Sequence, residues 1–156
     1  MTFVIDTNSL SVLKNFYPAT FGTLWQEIDR MVDAGELVSV EEVLNESERR
    51  LDSAHINAWI DRNKAIFSPP TEEEMQFVTE IFAVDHFRQL VGEDVLLRGG
   101  FVADPWLIAR AKSLGGCVLT EEKLKPNAAK IPNVCKHFGV DFCNVEALFE
   151  RKGWRY

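Results

Sequence analysis

The chain has 156 residues, 46% of them hydrophobic, which suits one domain, 1–156, with an ordinary core. Its 17 Lys and Arg against 24 Asp and Glu leave a net charge of −7, which argues at first against a nucleic-acid binder. No segment is apolar and long enough to cross a bilayer, and Met1-Thr2-Phe3-Val4-Ile5-Asp6 lacks the basic and apolar regions of a signal peptide, so a cytoplasmic protein without a membrane partner is expected.

In chain order, Thr2 to Ile5 reads as a buried strand that stops at the polar triplet Asp6-Thr7-Asn8. Helical spacing runs from Ser9 to Phe16 through Leu10 and Leu13. Pro18 reads as the opening of the next helix, whose inner positions Leu24, Trp25, Ile28 and Met31 end at Gly35, suited to a left-handed cap. Leu37 to Val40 is a second strand. Glu41 to Leu51 follows as a helix, and another carries Ile56, Trp59 and Ile60.

Pro69-Pro70 breaks the chain before a strong helix start at Thr71-Glu72-Glu73-Glu74, whose acids favour the positive end of the helix dipole and keep the surface soluble. Residues 92–100 read as an irregular loop. Asp104 precedes Pro105 as an N-cap precedes a first-turn proline, and that helix runs to Gly115-Gly116. Cys117 to Thr120 is a third strand, Ile131 to Phe138 a helix, Val140 to Cys143 a last strand and Val145 to Arg151 a final helix. Short apolar strands alternating with helices indicate an α/β fold in three layers, α/β/α, around a parallel sheet.

Cys117, Cys135 and Cys143 match no zinc spacing and read as reduced, partly buried thiols. Trp25, Trp59 and Trp106 read as packing residues, with base stacking open to Trp106.

In a doubly wound sheet, ligands bind beyond the carboxyl ends of the strands. The residues expected there are acidic: Asp6 after the first strand, Glu41, Glu42 and Glu46 after the second, and Glu121 and Glu122 after the third, with Asp104 opening the helix before it. Two carboxylates about 5 Å apart repel by roughly 3 kcal/mol at an effective dielectric near 20. A cluster therefore needs protons or a cation, and all-oxygen ligands suit Mg²⁺ or Mn²⁺. Phosphodiester hydrolysis is the natural chemistry of such a cleft. The charge distribution is compatible with it, because residues 1–80 hold 6 basic and 15 acidic residues while residues 81–136 hold 8 and 6. Each acid also has a plainer reading. Asp6 could only cap a helix, Glu46 could be an exposed helix residue, and Glu121 and Glu122 could be loop charges.

Four motifs, in order across nearly the whole chain, resemble those of the PIN-domain superfamily. Phe3-Val4-Ile5-Asp6-Thr7-Asn8 resembles its opening strand and Val43-Leu44-Asn45-Glu46 its second signature. Asp104-Pro105-Trp106-Leu107-Ile108-Ala109 resembles the third, and Val118-Leu119-Thr120-Glu121-Glu122 the fourth. Lys130 to Cys135 resembles a segment found in a bacterial branch of that superfamily.

The resemblance implies about five parallel strands and a Mg²⁺- or Mn²⁺-dependent ribonuclease. Asp6 and Asp104 would be its central ligands, joined by Glu46 and Glu122, with Asn8 and Thr120 holding these acids by hydrogen bonds. It also implies a VapC-like toxin that acts on RNA, pairs with an antitoxin protein and forms a homodimer. The family's fourth acid is usually Asp, where this chain has Glu122, and Glu42, one helical turn before Glu46, is the alternate second acid. Arg110, Lys112, Lys123 and Lys125 flank the last two motifs and are candidates for gripping the RNA backbone. Two rival readings are a catalytically inactive binding module on the same fold and an aspartyl phosphatase. The phosphatase wants a second acid two residues after Asp6, where Asn8 stands.

Overall fold

The computed structural model describes residues 1–90 and 103–156. The expected loop at 92–100 lies outside them. The elements in chain order are β1 (Phe3–Ile5), α1 (Thr7–Leu13), α2 (Gly22–Asp33), β2 (Leu37–Val40), α3 (Glu41–Arg50), α4 (Ala54–Arg62), β3 (Phe67–Ser68), α5 (Glu72–Ala83), α6 (Asp104–Leu114), β4 (Cys117–Leu119), α7 (Ile131–Phe138), β5 (Asp141–Cys143) and α8 (Val145–Lys152). Short 3₁₀ turns at Lys64–Ile66 and Asp85–Leu90 join them.

All five strands are parallel, in the order β3-β2-β1-β4-β5, and helices cover both faces in a three-layer α/β/α arrangement. The order reverses between β1 and β4. β1, the first to form in sequence, therefore lies at the centre of the sheet beside β4, more than a hundred residues later. Central strands are screened on both faces, which explains why Val4, Ile5, Val118 and Leu119 are all fully buried. Each such aliphatic side chain contributes about 1.5–3 kcal/mol by leaving water.

Helix α6 lies across β1, β2 and β4, with α5 and α7 packed beside it, while α1 touches α3 and α8. The hydrophobic core is continuous through the sheet and includes Trp25 and Trp59, with Trp106 packed at its edge.

Several expectations are corrected. The helix expected to open at Pro18 starts at Gly22, because residues 18–20 form a turn. The first helix begins at Thr7 and ends at Leu13, short of Phe16. β3 has only two residues, too few to show any periodicity, and it was not anticipated. The cap of α6 is Ala103, and Asp104 occupies the first helical turn without capping it, so its carboxylate is not held by the helix's own N–H groups. Thr71 caps α5 in a capping box with Glu74, as the Thr-x-x-Glu spacing suggests.

Candidate metal centre

The crevice at the carboxyl ends of β1 and β4 is the switch point where this kind of sheet binds ligands. Asp6 follows β1 directly and is buried, 4% exposed. It is also the N-cap of α1, and its Oδ1 accepts the Thr7 N–H at 2.7 Å. Its Oδ2 accepts the hydroxyl of Thr120, which follows β4, at 3.1 Å. Capping and cleft-facing roles thus coexist in one carboxylate, since each oxygen retains a lone pair.

Asn8 does not bond to an acid directly, as had been expected. Its Nδ2 donates to the Thr120 hydroxyl at 3.3 Å and its Oδ1 accepts the Glu121 N–H at 3.0 Å. It fixes the end of β4, and through Thr120 the position of Asp6. The Glu122 N–H also donates to the Thr120 hydroxyl, at 3.3 Å. A single hydroxyl therefore organises three segments.

The four expected acids act on one another electrostatically. Burial, reinforced by the charges of Glu46 and Glu122, pushes the Asp6 carboxyl up to about 7 against the Thr7 and Thr120 hydrogen bonds. Burial raises Asp104 well above the ordinary range, and the charges of Asp6, Glu122 and Glu46 add to it while Lys130 opposes. Glu46 is raised by burial, eased by Arg50 and Arg49. Arg50 bonds one Glu46 oxygen at 2.7 Å, an i,i+4 pair legible in the sequence.

Glu42 belongs to a different neighbourhood. Burial raises it, and the charges that act on it most are Glu41, Arg110 and Glu74. Glu46, by contrast, is among the charges that act on both Asp6 and Asp104.

Glu121 and Glu122 are not idle loop charges. One oxygen of Glu122 accepts the Ile131 N–H at 2.9 Å, at the start of α7, and one oxygen of Glu121 accepts the Val145 N–H at 3.0 Å, at the start of α8. The loop after β4 thereby anchors both following helices, where a carboxylate satisfies orphan donors. The charge of Glu122 still acts on Asp6 and Asp104.

Two of the basic candidates for RNA contact are corrected. Arg110 is buried, 6% exposed, and grips Glu74 with two nitrogens. It also donates to the Ser39 carbonyl at 2.8 Å, the Ser68 hydroxyl at 2.7 Å and the Pro69 carbonyl at 2.9 Å, tying β2 and β3 to α5 and α6. A guanidinium with its donors satisfied inside the protein has none left for phosphate. Glu74, read as a solubility charge, is its buried partner.

Lys112 sits at the wrong end of the molecule. It lies eight residues along α6 from Asp104, roughly 12 Å by helix rise. Its Nζ reaches the Phe138 carbonyl at 3.4 Å, away from the crevice. Lys123 and Lys125 are exposed in the loop after β4. Lys130, whose charge reaches Asp104, was overlooked, although it directly precedes the proline-marked start of α7.

The donors fit a hard divalent cation. All are carboxylate oxygens, burial and neighbouring acids raise the carboxyls of Asp6, Asp104 and Glu46, and the buried Thr7 hydroxyl beside Asp6 has no partner among the described residues. As the side chains stand, no three acidic, His or Cys groups among the described residues close to the spacing of a formed metal shell. The three cysteines are buried and unbridged, and burial pushes the Cys135 thiol up to about 12, which makes it a poor nucleophile at neutral pH.

A sequence comparison with curated proteins found no match. The family described as a domain of unknown function, DUF4411, matches residues 3–156, and the chain belongs to that family.

Proposed function

We propose that this DUF4411 chain is a divalent-metal-dependent ribonuclease of PIN type that hydrolyses RNA phosphodiester bonds, with Asp6, Glu46, Asp104 and Glu122 as its acids. The observation that carries the reading is the mutual charge repulsion of these four residues, drawn from four distant segments, at the switch point of the sheet. Repulsion of this kind in a buried crevice disfavours the charged forms unless a cation compensates.

Asp6 and Asp104 would hold Mg²⁺ or Mn²⁺, with Glu46 and Glu122 as the further acids beside them. When bound, such an ion lowers the pKa of water and neutralises charge on a phosphoryl oxygen. Thr120 keeps Asp6 oriented, and Asn8 keeps Thr120 oriented. The low polarity around Asp6 strengthens its grip on a cation once it is ionised.

The test is incubation of the purified protein with single-stranded RNA and Mn²⁺. The parent is expected to cut, and Asp6→Asn and Asp104→Asn to lose at least 100-fold, the order of several kcal/mol of lost charge stabilisation. Equal cutting by parent and variants would show the site to be misassigned.

The resemblance to VapC-like toxins extends the proposal to a cytoplasmic toxin, a homodimer silenced by an antitoxin protein. A second reading, a binding module without turnover, is favoured by one observation. Glu122 spends an oxygen on α7, where the superfamily usually has a shorter Asp. That module would bind RNA or protein and show no cleavage in Mn²⁺.

A further inference from the structure

Although the protein is acidic overall, residues 123–139 carry four lysines and no Asp or Glu. The fold turns this stretch into one surface. The loop after β4 leaves the crevice at Glu122 and returns to it at Ile131, because the Glu122 carboxylate binds the Ile131 N–H. Between these points the loop folds down onto α7. The Asn133 amide donates to the Lys125 carbonyl at 2.6 Å, and the Ala128 N–H donates to the same carbonyl at 3.2 Å.

Two hollows run along this face. The first, about 570 Å³, is lined by His86, His137, Lys136 and Asn127, among others. The second, about 470 Å³, shares Lys136, Asn127 and Asn133 with it and adds Lys125. The two adjoin at these common residues. No carboxylate lines either hollow among the described residues. Lys125, Lys136, His86 and His137 are exposed, so their donors are open to a ligand. Phe87 lies buried behind and packs its ring edge to face with His137 at 5.1 Å, which holds that imidazole in place.

We propose that this groove carries the backbone of a single-stranded RNA away from the acid crevice, with Lys125 and Lys136 as its phosphate contacts and Asn127, His86 and His137 as further donors. The proposal rests on the ribonuclease reading and adds the path of the strand to it. Lys136 lies five residues into α7, roughly 8 Å by helix rise from the Ile131 N–H at the crevice. A strand whose scissile phosphate lies at Asp6 and Asp104 would meet Lys130 at the mouth and then Lys125 and Lys136. Lysines supply point charges to phosphate and read no sequence, so the groove positions RNA without selecting it. It takes the place of Arg110, whose donors are spent inside the protein.

The experiment measures the binding of a fluorescein-labelled 12-nucleotide oligouridylate by anisotropy, with chelator present, between 50 and 200 mM NaCl. The parent should bind with a steep salt dependence. Lys125→Ala with Lys136→Ala should lower the slope of log affinity against log salt by about 1.4, since each phosphate contact of a single strand contributes about 0.7. Affinity at 50 mM salt should fall about 10-fold or more, the Lys→Arg pair should bind like the parent, and Lys64→Ala, on an exposed lysine far from the groove, should change nothing. A double alanine variant with the parent's slope and affinity overturns the groove, as does a parent that binds no RNA. Because the readout needs no cleavage, a parent that binds normally yet fails to cut in Mn²⁺ counts against the ribonuclease reading and leaves the groove standing.

Discussion

The Thr120 hydroxyl donates to Asp6 across the junction of β1 and β4, joining residues 114 apart in the chain at 3.1 Å. The same oxygen accepts N–H groups from Asn8 and Glu122. Thr120 is thus the point where the strand end, the first helix and the acidic loop are aligned on one carboxylate.

Replacing Thr120 with Val keeps the shape of the side chain and removes the hydroxyl. The half-buried N–H groups of Glu122 and Asn8 lose their acceptor, at a cost of about 1 kcal/mol. Mn²⁺ affinity should fall 10- to 100-fold, the usual effect of losing a hydrogen bond that orients a ligand. Thr120→Ser should restore most of it. Isothermal titration with Mn²⁺ measures this directly, and unchanged affinity in the Val variant would remove Thr120 from the positioning of Asp6.

The raised Asp6 carboxyl makes stability depend on pH in a definite sense. Its folded pKa, about 7, lies above its ordinary 3.8, so the folded state holds the proton more tightly. Stability from this group is full below pH 4 and is lost as pH rises from 4 to 7, by on the order of 4 kcal/mol at about 1.4 kcal/mol per unit. Glu74, which burial would raise but which its bonds to Arg110, Thr71 and Ser113 hold below the ordinary value, works in the opposite sense and loses stability as pH falls through its own lowered value. In chelator, Asp6→Asn should therefore melt higher than the parent at pH 8 and close to it at pH 4.5. Mn²⁺ should reverse the order at pH 8, since binding to the native state raises the midpoint of the parent alone. Paired melts at the two pH values check both signs.

The Arg110–Glu74 pair is buried and hydrogen-bonded on both sides. Arg110→Met leaves Glu74 charged and without its partner and should cost about 3–5 kcal/mol. A double change to Met at 110 and Leu at 74 should cost less than Arg110→Met alone, because it leaves no unpaired buried charge. Urea denaturation of the three proteins decides this. If the double variant were the least stable, the pair would contribute net stability beyond mutual compensation.

Gly116 sits where β4 begins beside β1. A Cβ at this position would lie 2.4 Å from the backbone oxygen of Thr2, and Thr2 accepts the Cys117 N–H through that same oxygen. The clash is with backbone, which cannot rotate away. Gly116→Ala should destabilise by about 1–3 kcal/mol through forced separation of the two strands. A thermal melt showing a midpoint within a degree of the parent would show that the strands have room to part.

Much of the architecture was legible along the chain because it is local. Periods of two and of 3–4, proline starts and glycine ends mark β1, β2, β4 and most helices, and the acids stand where strands stop. Glu46 with Arg50 is readable from spacing alone. Two-residue β3 is below the length at which any period exists, and the start of α2 was misplaced because Pro18 suits a turn as well as a first helical position.

Tertiary structure decided the partners. Nothing local marks Arg110 as buried against Glu74 rather than exposed on its helix. Whether an oxygen of Glu122 faces a crevice or a helix N-terminus depends on where the loop after β4 lands. Short-range pattern reports how a segment buries one face, since that follows from the geometry of a single helix or strand. Which charges meet follows from the order of strands in the sheet, and that order brings Asp6 beside Thr120 only once the whole chain has packed.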